Sequence, residues 1–178
     1  RTPSTGLDFD LDLAVRQDSE NPVYYVQYAH ARICSLLARL AEEGSVVPTG
    51  DVDAAVFTTP EEMTLVKALA QYPNEIHLAA RDFDPSRINR YLTVLAGDFH
   101  RFYNACRIKG EDAAVQAARL KLADETRIVL KNGLKLIGVL PQDEAVYQCD
   151  CDGEPSARLP ENNPVKTALR GIMASLGL

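Results

Sequence analysis

At 178 residues the chain is long enough for one domain with a sizeable core, and an apolar content of 46% places it among globular proteins. No apolar run approaches a membrane span and the N-terminus carries no signal-peptide pattern, so a soluble, cytoplasmic chain is expected. The net charge of −6 argues against indiscriminate nucleic-acid binding, but it is unevenly spread: residues 101–140 hold eight Lys or Arg against four Asp or Glu, a local balance of +4, and the remainder carries −10. Cys34, Cys106 and the pair Cys149 and Cys151 read as reduced thiols with no metal, because Cys-x-Cys without two further spaced ligands is a weak site.

Residues 7–15 alternate acidic and apolar through Asp8, Phe9, Asp10, Leu11, Asp12 and Leu13. This reads as a short extended segment rather than a metal site, since carboxylates along one strand face diverge from any common point. A first long helix opens between Ser19 and Pro22 and ends near Gly44, with Val23, Val26, His30, Ile33, Leu37 and Leu40 as its expected core seam. Roughly opposite that seam, Tyr25, Tyr28 and Arg32 recur at i, i+3 and i+7. Ser45 to Val56 reads as a loop.

Thr59-Pro60-Glu61-Glu62 is a helix start, followed by Met63, Val66, Leu69 and Ala70 on one face. Pro73 is expected to break this helix, with a short one running on through Ile76 to Phe83. Asp84-Pro85 then caps a third long helix whose core seam is Ile88, Leu92, Leu95, Phe99, Phe102 and Cys106. Beside it His100, Tyr103 and Arg107 repeat the earlier spacing, with Asn104 next to them. A fourth helix runs from Glu111 to about Gly138, with Leu120, Ala123, Arg127, Leu130, Leu134 and Ile137 on one side. Arg127 and His30 interrupt apolar seams and are expected to make internal hydrogen bonds.

Pro141 to Pro164 reads as a linker, and Asn163-Pro164 opens a last short helix with Val165, Leu169, Ile172, Met173 and Leu176 on its apolar side. The expected architecture is all-α: a helical bundle of about four to six helices over residues 1–140, with a short extended N-terminal segment, then a linker and C-terminal helical extension over 141–178.

Two stripes of aromatic and cationic residues suit single-stranded RNA, because an unpaired base stacks on Tyr or Arg while a guanidinium also grips phosphate. The candidate contacts are Tyr25, Tyr28, Arg32, His100, Tyr103, Asn104 and Arg107. Taken singly, each stripe is equally an exposed rim on an ordinary helix. The competing function is a protein-interaction or scaffold module that uses the apolar side of the last helix. No Ser-His-Asp set, metal cluster or phosphate loop points to a catalyst.

The run Asn21-Pro22-Val23-Tyr24-Tyr25-Val26-Gln27-Tyr28-Ala29-His30-Ala31-Arg32 resembles the opening of the helical anticodon-binding domain of arginyl-tRNA synthetases. The resemblance extends from Leu7 to about Pro141 through Leu7-Asp8-Phe9-Asp10-Leu11-Asp12-Leu13-Ala14, Phe99-His100-Arg101-Phe102-Tyr103-Asn104, Ala118-Arg119-Leu120-Lys121-Leu122 and Asn132-Gly133-Leu134-Lys135-Leu136-Ile137-Gly138-Val139, in the family's order.

It implies a class I synthetase-type bundle that holds the anticodon stem-loop of tRNA(Arg), joined to a catalytic domain of the same polypeptide that uses ATP. The family's His-Ile-Gly-His-like and Lys-Met-Ser-Lys-like stretches occur nowhere here, so this fragment is expected to bind no cofactor and not to activate arginine unaided. A monomer is expected. By position, Tyr25, Tyr28 and Arg32 correspond to the helix face that packs on the splayed loop, and Tyr103 to a neighbour facing the same pocket. Every arginine codon has G in the middle, so the middle anticodon base is C. A reader of that base must accept from its amine and donate to its ring nitrogen or carbonyl; backbone carbonyls near Tyr103 and Asn104 could accept, and the Asn104 side chain could do either. The chain departs from the family in continuing to Leu178, without the Met that often follows the Gly-Val at 138–139 and helps shape the pocket.

Overall fold

Asn21 opens the first helix by accepting from the backbone N–H groups of Val23 and Tyr24 at 3.1 and 3.3 Å, with Pro22 in the position where a missing N–H costs nothing. The computed structural model describes residues 20–139 and the single positions 162 and 167. The expected N-terminal extended segment, the Cys149–Cys151 pair, the linker and the apolar side of the last helix lie outside the described residues.

Within residues 20–139 four α-helices follow in order: α1 (Pro22–Glu42), α2 (Pro60–Asp82), α3 (Ser86–Ala105) and α4 (Ala113–Val139). A single 3-10 turn, Ala54–Val56, interrupts the loop expected after α1, and the described residues contain no strand. The core lies between all four helices, centred on Ile33, Leu65, Leu92, Leu95, Phe99, Phe102 and Leu130. The all-α bundle expected from the sequence is therefore the fold observed, and no described helix is long and apolar enough to cross a membrane.

On α3 the expected seam is the observed one, with Ile88, Leu92, Leu95, Phe99, Phe102 and Cys106 all buried. On α1 the seam is displaced. The buried residues are Val26, Ala29, Ile33, Leu36 and Leu40, whereas Val23 is 51% exposed and His30 and Leu37 are only partly covered. Tyr25, Tyr28 and Arg32 each precede a buried position by one residue, so their stripe borders the core instead of lying opposite it.

One expectation for α2 fails. Pro73 does not end the helix, which continues unbroken to Asp82. Packing on α3 holds both sides of the proline: Leu65, Ile76, Ala79 and Ala80 are buried, Tyr72 stacks on Tyr91 at 5.7 Å, and the Tyr91 hydroxyl donates to the Ala68 carbonyl at 2.9 Å. The expected face is met in part: Val66 and Leu69 are partly buried against the core, whereas Met63 is 41% exposed and Ala70 is exposed.

Glu62 takes the inner position at the start of α2. The Thr59 capping box is complete, and Glu62 Oε2 accepts from the backbone N–H groups of Thr58 and Thr59 at 2.9 Å each. Its other oxygen accepts from Arg119 Nε at 2.6 Å, and Arg119 also donates to the carbonyl of Arg107. One buried guanidinium thus ties the start of α2, the body of α4 and the turn after α3.

Arg127 meets its expectation by pairing with Asp124 at 2.7 Å on its own helix. His30 does so only weakly: its ring nitrogens lie 3.8 and 3.9 Å from Cys34 Sγ. Cys34 and Cys106 are free thiols, and Cys106 lies 3.2 Å from the Thr59 hydroxyl.

Candidate nucleic-acid interface

The two stripes converge. α1 and α3 pack so that His100 lies against Tyr25 edge-on, with ring centroids 5.3 Å apart, and against Tyr28 at 5.8 Å. Arg32 reaches across to the same place, with Nη1 3.2 Å from His100 Nδ1 and its guanidinium carbon 4.3 Å from the centre of the Tyr103 ring. Behind these groups Phe99 touches both His100 and Tyr103 at 5.8 and 5.9 Å, which anchors the cluster on the core.

The members are not equally accessible. Tyr28 is 48% exposed, while Tyr25, Arg32, His100 and Tyr103 are half-buried. Tyr24, absent from the candidate set, stacks on Tyr28 at 6.4 Å and extends the aromatic surface along α1. Its signal was present in the sequence as an i, i+4 aromatic pair. Burial, followed by the nearby Arg32 charge, holds the His100 imidazole below its ordinary pKa, so the neutral form is favoured.

Arg107 departs from its expected stripe, and Asn104, expected beside that stripe, stands apart from the cluster. Asn104 is exposed near the end of α3. The helix stops at Ala105 and Cys106 turns to φ −111°, ψ 113°, so Arg107 leaves the helical face altogether. It joins instead a cleft of about 320 Å³ beside Tyr103, floored by Leu36, Leu40 and Ile108 and edged by Arg39 and Lys109. Lys109 is paired with Glu43 at 2.6 Å, whereas the side chains of Arg39 and Arg107 make no ion pair among the described residues. Arg39 and Lys109 are the cations that the stripe spacing did not reveal. The carbonyls of Tyr103 and Asn104, at a helix end, accept no hydrogen bond among the described residues.

A second cleft, of about 370 Å³, lies between α2 and α3. Its guanidinium groups are occupied: Arg87 pairs with Glu75 at 2.6 Å and Arg90 with Asp84 at 2.9 Å. Of these two clefts, the one on the α1–α3 side therefore joins unpaired guanidinium groups to the aromatic cluster, among the described residues. Among the described residues no group of three His, Cys, Asp or Glu is placed to hold a metal.

An all-α bundle of this arrangement, with its aromatic and cationic groups gathered between the first and third helices, is a helical anticodon-binding module. The chain belongs to the DALR anticodon binding domain family, whose model matches residues 26–144. It is 53% identical over 134 residues to the arginine–tRNA ligase of Acetivibrio thermocellus, a match covering 75% of this chain and 24% of that protein. The arginine–tRNA ligase of Ruminiclostridium cellulolyticum is 52% identical over the same shares. A crystal structure from Campylobacter jejuni, assigned as an arginyl-tRNA synthetase, superposes with a TM-score of 0.62 at 27% identity, over 76% of this chain and 30% of that one. The chain thus spans about a quarter of the length of the curated relatives it matches.

Proposed function

We propose that this chain is the tRNA-binding part of an arginine–tRNA ligase, and that it holds the anticodon stem-loop of tRNA(Arg) on the α1–α3 face. In this reading residues 1–140 form the binding bundle and 141–178 a linker with a helical extension. The ATP and arginine chemistry belongs to a catalytic domain of the same polypeptide, and the assembled ligase works as a monomer in the cytoplasm.

The observation that carries the reading is the convergence of Tyr28, His100, Arg32 and Tyr103 from two helices onto one surface. Tyr28 and Tyr24 offer ring faces for unpaired bases. Arg32 is held in place by two neighbours, which lowers the entropy lost when it meets a phosphate or a base. Arg39 and Arg107 continue the positive surface past Tyr103 and would follow the backbone. The free carbonyls of Tyr103 and Asn104 supply acceptors for the amine of the middle anticodon cytosine.

Titration of the chain with an arginine anticodon stem-loop tests this. Binding is expected at low salt, weakening as salt rises, and Tyr28→Ala is expected to lower affinity by about tenfold or more without altering the helical content. No binding at low salt, or an unchanged affinity in the Tyr28 variant, would remove the assignment.

A further inference from the structure

Among the described residues nothing accepts from one of the ring nitrogens of His100. Arg32 Nη1 lies 3.2 Å from its Nδ1, and a guanidinium can only donate, so Nδ1 is the acceptor and the proton of the neutral ring resides on Nε2. Nε2 is shut off from solvent and has no hydrogen-bond partner; it is the one buried side-chain polar atom in that condition among the described residues. Leaving a buried donor unpaired is costly. Accepting from Arg32 accounts for Nδ1 but not for Nε2–H, and a phenyl ring between Tyr25, Tyr28 and Phe99 would remove the unpaired donor at the expense of that one acceptor.

We infer that His100 Nε2–H is a donor reserved for RNA: an acceptor atom of an unpaired nucleotide takes this hydrogen bond once the Tyr28 ring moves aside. Of the rings against His100, Tyr28 is the one able to move. It is 48% exposed and its ring contacts are Tyr24 and His100, whereas Tyr25 and Phe99 on the other sides of the imidazole are packed on the core. Displacing Tyr28 trades its tilted contact with His100 for stacking on a base and uncovers the donor in the same movement.

Arg32 makes the donor specific in two ways. It fixes the tautomer through Nδ1, and its charge, added to burial, keeps the ring from taking a second proton near neutral pH. The acceptor is then a carbonyl oxygen or ring nitrogen of a base, or an oxygen of the sugar–phosphate backbone. This inference rests on the reading of the α1–α3 face as the anticodon-loop site.

The test pairs stability with affinity. His100→Phe is expected to melt at the same or a higher temperature than the unaltered chain, yet to bind the stem-loop about tenfold more weakly or worse. His100→Gln, whose amide N–H can reach the same acceptor, is expected to recover much of the affinity. In the unaltered chain, the Nε2–H proton resonance should shift and sharpen when RNA saturates the site.

Replacing one loop nucleotide at a time by an abasic one separates the two sources. If the His100→Phe loss disappears at a single abasic position, the acceptor is on that base; if it persists at all of them, the acceptor is on the backbone. Should His100→Phe bind as tightly as the unaltered chain while Tyr28→Ala still binds weakly, this inference falls and the site assignment stands. An Nε2–H resonance unmoved by saturating RNA overturns it equally. Failure of the unaltered chain itself to bind removes both.

Discussion

The guanidinium of Arg32, on α1, sits over the Tyr103 ring of α3 with its carbon 4.3 Å from the ring centre and one of its nitrogens 3.2 Å from His100 Nδ1. A lysine keeps the charge but has neither the planar face nor the fixed fork. Arg32→Lys should therefore weaken stem-loop binding while preserving its salt dependence, and Arg32→Ala should weaken it further and lower the salt slope by about one. Dissociation constants at several salt concentrations check both.

Glu62 and Arg119 form a buried ion pair in which both carboxylate oxygens are engaged and Arg119 donates through Nε and Nη1, which predicts that breaking it is worse than removing it. Glu62→Ala or Arg119→Met alone should cost about 3–5 kcal/mol, and the double change Glu62→Met with Arg119→Met should cost less than the two single changes added. Burial pushes the Glu62 carboxyl up, but hydrogen bonds from Thr59, Arg119 and Thr58 outweigh it and leave the pKa below its ordinary 4.5. A depressed carboxyl stabilises the fold above its unfolded value and loses that contribution as pH falls below about 4.5 toward the folded one. Urea midpoints at neutral and acid pH measure the loss, and the double variant should show less of it.

Pro73 sits exposed inside α2, where it deprives the helix of one N–H. Because packing already holds the helix through this point, Pro73→Ala should restore the bond and raise stability by about 1–3 kcal/mol, read as a higher melting temperature.

Gly133 predicts the opposite sign for a change that helix propensity favours. A Cβ at this position would come within 2.5 to 3.0 Å of three side-chain atoms of Leu92, a residue only 1% exposed. Gly133→Ala gains about 1 kcal/mol of helix propensity but overpacks the α3–α4 contact by about 1–3 kcal/mol. A net loss of stability is expected, relieved by Leu92→Val in the same chain.

His30 and His100 are both held below their ordinary pKa of 6.5: burial acts first on each, then Arg127 and Lys131 on His30 and Arg32 on His100. The unfolded chain therefore binds protons that the folded chain refuses. Their contribution is complete above about pH 6.5 and declines as pH falls through the folded values. Melting temperature should drop between pH 7.5 and 5.5, and His100→Phe should flatten part of that slope.

The sequence made α3 legible because its apolar residues are large, regularly spaced and unaccompanied by competing ones. α1 misled by one step: Ala29 and Leu36 belong to the seam, but Val23 and Leu37 fit the same spacing almost as well, and only the packing on α3 and α4 chooses between them. Nothing local reveals that Glu62 is an interior residue, because the partner that makes it so lies 57 positions away.

For the site, repeated i, i+3, i+7 spacing brought Tyr25, Tyr28, Arg32, His100 and Tyr103 to notice, and these five form one cluster. Arg107 obeyed the spacing yet left the helix at Cys106. Arg39 and Lys109 became visible only when the ends of α1 and α3 were brought together.

The most direct test of the central claim is side-chain NMR mapping of the chain during titration with an arginine anticodon stem-loop. The account predicts that the largest shifts fall on the Tyr24, Tyr25, Tyr28 and Tyr103 rings, the His100 imidazole and the Arg32 guanidinium, while Tyr72 and Tyr91 in the α2–α3 contact stay still. Shifts centred on Tyr72, Tyr91, Arg87 and Arg90, with the α1–α3 cluster unmoved, would contradict it.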